Sequence, residues 1–154
     1  MTYNAELLIL HSSKREFLST DWDFWISNPD LSNVNRSLKQ TTLKAIKLGL
    51  IPFREQFYLL ENEIEIVPGI RIINSPGHTP GHIVLQVTSS NEQLFCIFDM
   101  LHSPLEFKNP DLFENSNISA EEAKATRDDI ISRILTHNAL VFGSHFPFPG
   151  LGYL

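Results

Sequence analysis

The sequence has a single cysteine, Cys96, so no internal disulfide can form and no cysteine-based zinc knuckle is available. Cys96 lies inside Leu-Phe-Cys-Ile-Phe, which reads as a buried, small apolar position and not as a nucleophile. Basic charge is also scarce. Lys and Arg number 12 against 18 Asp and Glu, for a net charge of −6, and no basic run or stripe exists. Phosphate contacts need clustered cations, so a nucleic-acid partner is not expected. Long apolar runs are absent: Leu7–Leu10 and Leu94–Phe98 are far too short to span a bilayer. No membrane partner is expected, and without a basic segment ahead of Glu6 no leader is expected either, which makes the cytoplasm the default location. What the chain does have is 154 residues with 42% apolar content, enough for one folded domain over 1–154.

Glu6-Leu-Leu-Ile-Leu-His11 reads as a buried strand, with His11 at its end. Ser13 and Glu16 have capping-box spacing, which predicts a short helix there. Asp21-Trp-Asp-Phe-Trp25 is an aromatic cluster ahead of a loop at Asn28-Pro29-Asp30. Val34, Leu38, Ala45 and Leu48 share one helical face, which predicts a helix over about 34–48 stopped by Gly49. Residues 56–73 read as two or three strands around a Pro68-Gly69 turn. Ser75-Pro-Gly-His-Thr-Pro-Gly-His82 is dense in turn formers and leads directly into a strand at Ile83–Val87. A turn at Ser89-Ser90-Asn91 precedes a strand at Leu94–Phe98, with Asp99 at its end. Residues 100–117 form a long irregular segment, of the kind that often carries function. Ser119 and Glu122 then mark the start of a helix running to about Leu135, with Ala123, Ile130 and Ile134 on one face. A last strand, Ala139–Phe142, feeds the Gly/Pro loop Gly143-Ser-His-Phe-Pro-Phe-Pro-Gly150. This order points to an α/β sandwich with polar groups on loops after buried strands.

His78, Asp99 and His145 share that placement. Two imidazoles and a carboxylate suit zinc, iron or manganese, but only tertiary structure could bring them together. Taken singly, each histidine reads more simply as a hydrogen-bonded turn residue. His102 reads as a solvated loop residue that could face a substrate. His137 fits the negative end of a helix dipole. Glu121, Glu122, Asp128 and Asp129 read as a solvated face. Arg127 interrupts the apolar stripe and calls for an acidic partner that the sequence does not name.

Three collinear motifs carry a resemblance. Ser-Pro-Gly-His-Thr-Pro-Gly-His at 75–82, Phe-Asp-Met-Leu at 98–101 and Gly-Ser-His-Phe-Pro-Phe-Pro-Gly-Leu-Gly at 143–152 resemble successive metal motifs of the metallo-β-lactamase superfamily. The last is nearest to the methyl parathion hydrolase and lactonase-like branch, as is the aromatic cluster at 21–25. The resemblance implies the second half of a metallo-β-lactamase αβ/βα sandwich with preceding helices. It implies His78 on a first metal, Asp99 bridging two metals and His145 on the second. His82 is not a ligand in that pattern, and Phe98 stands where the family has glycine. Phe146 and Phe148 would form an apolar substrate wall, or alternatively pack beside the proline-stiffened turn. The implied cofactor is one or two divalent metals, zinc first, and the implied activity is hydrolysis of small-molecule esters, lactones or phosphotriesters by a metal-bound hydroxide. The family's upstream His-x-His-x-Asp-His string does not occur in these residues. The chain is therefore expected to be a C-terminal portion with impaired activity, one that self-associates or pairs with a separate upstream fragment. The alternative expectation is a non-catalytic remnant acting only through such association.

Overall fold

A computed structural model of the chain describes residues 15–27, 29, 31–32, 36–61, 63–109, 112 and 117–154. The strand expected at 6–11, His11 and the start of the capping box at Ser13 lie outside the described residues. The chain divides into two compact units, Met1–Glu61 and Asn62–Leu154.

In the first unit, β1 (Arg15–Leu18) pairs in parallel with β2 (Phe57–Leu60), Arg15 opposite Phe57 and Leu18 opposite Leu60. The capping-box spacing at 13–16 therefore misplaces the helix: Arg15–Leu18 is extended, and α1 begins at Ser19 and runs to Ile26. Strand pairing and burial of Leu18 override a local cap signal. The aromatic cluster rides on α1. Its Trp22 is buried and meets Phe17 and Phe57 at ring separations of 6.4 and 6.0 Å, with the Arg54 guanidinium 5.2 Å from the Trp22 ring. The second helix, α2, spans Arg36–Ala45. Gly49 does not stop it. The chain continues through a π-turn at Ile46–Leu50 and a 3-10 segment at Ile51–Gln56, where Pro52 occupies the first turn and sets the tighter winding.

The second unit is built on a six-stranded sheet in the order β3-β4-β5-β6-β7-β8. Its strands are β3 (Ile64–Val67), β4 (Ile70–Asn74), β5 (Ile83–Ser89), β6 (Glu92–Cys96), β7 (Leu140–Phe142) and β8 (Leu151–Gly152). The first four form an antiparallel meander, as the turn formers at 68–69 and 89–91 require. The helix α3 (Ala120–His137) lies in the connection from β6 to β7, which pair in parallel. Ser119 caps α3 by accepting the Glu122 N–H at 3.3 Å, and Asn138 ends it in the left-handed conformation at φ 46°.

Period-two alternation sorts the sheet into two faces. Ile73, Val84, Phe95 and Val141 point to one face, where Ile130 and Ile134 of α3 join them with Ile97, Met100 and Leu101 in the core. The opposite face carries Leu85, Val87, Leu94, Cys96, Leu140 and Phe142, all half-buried. Cys96 is thus a half-buried sheet residue whose thiol pKa burial pushes up, in keeping with an inert role.

Candidate metal centre

The turn at 75–82 is clamped by the start of α3. Its backbone groups take partners there: Ser119 N–H donates to Gly77 O at 3.0 Å, Ile118 N–H to His78 O at 3.1 Å, and the Thr126 hydroxyl to Pro76 O at 2.6 Å. The contact is so close that Gly77 is obligatory. A Cβ there would lie 2.3 Å from the Ala123 backbone, at a φ of 132° that side chains rarely adopt. His78 projects from this turn with Nδ1 3.3 Å from Asn117 Oδ1. His82 closes the turn, its Nδ1 3.1 Å from Ser75 O. Carbonyl oxygens only accept, so each ring donates from Nδ1. Among the described residues, His82 Nε2 is buried with no hydrogen-bond partner. Burial, then the neighbouring His78, lowers the His82 pKa to about 4 despite the Ser75 carbonyl and Asp99.

Asp99 stands past the end of β6, not at its last residue. The strand stops at Cys96, Ile97 N–H bonds Phe142 O at 2.9 Å, and the chain then turns through a 3-10 segment at Phe98–Met100. Phe98 makes the turn at φ 43°. A non-glycine residue in that region costs about 1–2 kcal/mol, so the conformation that glycine adopts freely is kept here under strain.

His145 comes from the loop after β7. Gly143 N–H bonds Gly150 O at 2.9 Å, Phe146 N–H bonds Gly143 O at 3.1 Å and Gly150 N–H bonds Pro147 O at 2.8 Å, which folds residues 143–150 back on themselves. The Phe148–Pro149 peptide is cis. His145 Nε2 makes a direct hydrogen bond to Asp99 Oδ1, with both side chains a little under half exposed. Burial raises the Asp99 pKa, but the His145 hydrogen bond and the fields of His78, His145 and His82 outweigh it and hold the carboxyl below its ordinary value.

His102 is not a solvated loop residue. It is half-buried, its ring 4.6 Å from that of His145 and 5.4 Å from that of His78. Asp99, His102 and His145 can bring one ligand atom each within 4.8 Å of one another. Burial, then His78 and His145, lowers the His102 pKa and favours the neutral, ligating ring. The loop that carries His102 is anchored by Glu106. Its Oε1 accepts the N–H groups of His102 and Ser103 at 2.8 Å each, and its Oε2 pairs with Arg127 of α3 at 3.0 Å, fully buried. The acidic partner of Arg127 is therefore Glu106.

Asp99 and His145 are in direct contact, His102 lies against His145, and His78 lies against His102 and His82. The donor set of imidazoles, a carboxylate held below its ordinary pKa and an orphaned Nε2 fits a divalent cation. Phe146 packs against the core and meets Phe107 at 5.8 Å, while Phe148 is 99% exposed. A cavity of about 580 Å³ opens beside Phe146 and Phe107, lined also by Pro104, Val141, Leu151 and Tyr153. None of the four histidines of the cluster, nor Asp99, lines it.

No family model matches the chain. An N-acyl homoserine lactonase from a Bacillus species is 26% identical over 90 residues, which are 58% of this chain and 35% of that protein. The dizinc quorum-quenching lactonase AidC, solved with the product N-hexanoyl-L-homoserine, is 26% identical with a TM-score of 0.71 over 90% of this chain and 49% of its own. The hydrolase AbOPH of the β-lactamase superfamily gives a TM-score of 0.74 at 24% identity, over 91% of this chain and 50% of its own. The chain thus spans about half the length of the solved structures it matches and about a third of the curated lactonase. The chain therefore has the fold of about half of a metallo-β-lactamase-superfamily domain and is similar to lactonases and related hydrolases of that superfamily.

Proposed function

We propose that this chain carries metal-binding residues of a hydrolase acting on lactones, esters or phosphotriesters of small molecules. The observation that carries the reading is the convergence of Asp99 and His145 in direct contact, with His78 and His102 around them. The solved relative is a dizinc lactonase, which makes zinc the first metal to test. Asp99 and His145 would hold the cation, and His78 would serve a second position across Asp99. A divalent cation in such a site supplies Lewis acidity toward a carbonyl or phosphoryl oxygen and a water of lowered pKa.

The chain's own residues have definable parts in this. Asp99, ionised well into acid, keeps negative charge where a cation and a reacting water would be oriented. Asn117 and Ser75 fix the tautomers of His78 and His82, leaving Nε2 of each as the basic atom. Phe146 stiffens the His145 loop by packing on Phe107, and the exposed Phe148 is free to meet an acyl chain.

The test is ring opening of N-hexanoyl homoserine lactone by zinc-loaded protein, with a phosphotriester and a simple ester alongside. Turnover that falls about 100-fold or more in Asp99→Asn and His145→Ala supports the reading. Metal-loaded protein without turnover on all three classes contradicts it, leaving a non-catalytic role through association of the half-buried sheet face.

A further inference from the structure

We propose that His102 is a metal ligand, completing with Asp99 and His145 a single-cation site of one carboxylate and two imidazoles. The inference deepens the hydrolase reading and rests on it only for the presence of a metal.

The first support is distance. Among the described residues, Asp99, His102 and His145 form the group that can set three ligand atoms within 4.8 Å. Donors about 2.1 Å from a tetrahedral cation lie about 3.4 Å apart, so small side-chain rotations close the set. His78 is outside that group. Its Nδ1 is committed to Asn117, and its ring lies 5.4 Å from that of His102. The second support is how the His102 backbone is held. Burying an ion pair is expensive, and the Arg127–Glu106 pair is almost wholly buried. The carboxylate is spent on two adjacent backbone N–H groups, those of His102 and Ser103, both at 2.8 Å. Two fixed N–H bonds at successive residues set the direction in which His102 leaves the chain. A solvated loop residue has no need of such an anchor, whereas a metal ligand requires its rotamer and backbone to be set in advance.

The experiment is cobalt(II) titration of the whole chain, read by visible d–d absorption, with calorimetry for stoichiometry. The expected result is one cobalt per chain. His102→Ala should weaken it at least about 10-fold and change the d–d band shape. His78→Ala should weaken it less than His102→Ala. Glu106→Gln tests the anchor and should weaken cobalt about 10-fold, with circular dichroism reporting its fold separately. No cobalt bound by the wild-type chain overturns the proposal. So does unchanged affinity and band shape in His102→Ala, or a loss greater in His78→Ala. Lactone turnover that survives His102→Ala overturns the ligand assignment but leaves the hydrolase reading standing. Cobalt binding that depends on His102 in a chain without turnover does the reverse.

Discussion

The two sides of the candidate centre are built in opposite ways. The 75–82 turn is tied down through its backbone: α3 presses on Gly77, and Ser119, Ile118 and Thr126 occupy its carbonyls. The Asp99–His145 side is exposed and joined chiefly by its own side chains. His102 stands between, half-buried, with a buried anchor in Glu106 and Arg127. The difference separates folding from binding. Damage to the clamp or the anchor should unfold the second unit, and damage to the exposed side should remove a metal while sparing the fold.

The largest expected effect is at the anchor. Arg127→Met strands the Glu106 carboxylate in the core and should cost about 3–5 kcal/mol in urea denaturation of metal-free protein. Gly77→Ala comes next, at about 3 kcal/mol, because the Ala123 backbone cannot retreat from a Cβ. A similar loss for His145→Ala would break the comparison. That variant removes an exposed pair and should change metal-free stability by less than about 1 kcal/mol.

Acid sharpens the contrast. His82 is pushed down to about 4 when folded, from an ordinary 6.5, so below that value the unfolded chain binds the extra proton first. Its contribution is whole above pH 6.5 and lost as pH falls toward 4, about 3 kcal/mol at most. Stability of the metal-free chain measured across that window should drop, and His82→Asn should flatten the slope. Ser119→Ala, which removes the cap beside the clamp, has a smaller effect than these, at about 1 kcal/mol in thermal unfolding.

Much of this architecture is readable in the sequence. The β4–β6 meander is bracketed by Pro68-Gly69 and by the Ser89–Asn91 turn, and alternation fixes which side chains meet the core. Ser119 marks the start of α3 because its hydroxyl finds the expected N–H. The readings that failed are local signals overridden by tertiary partners. Ser13 and Glu16 suggested a helix where pairing with β2 imposes a strand, and Gly49 suggested a stop where the chain widens into a π-helical turn and goes on. His102 was missed because single loop histidines are usually solvated. One signal pointed to it: the Ser103-x-x-Glu106 capping box that brings a buried carboxylate under its backbone. The pairing of Arg127 with Glu106 joins a helix to a distant loop, and no local pattern encodes it.

Zinc titration into wild-type protein and Asp99→Asn, followed by calorimetry, is the most direct test that the exposed side holds a cation. Saturable binding near one zinc per chain is expected, abolished in Asp99→Asn while the metal-free fold persists. Equal binding in both proteins, or none in the wild type, would contradict it.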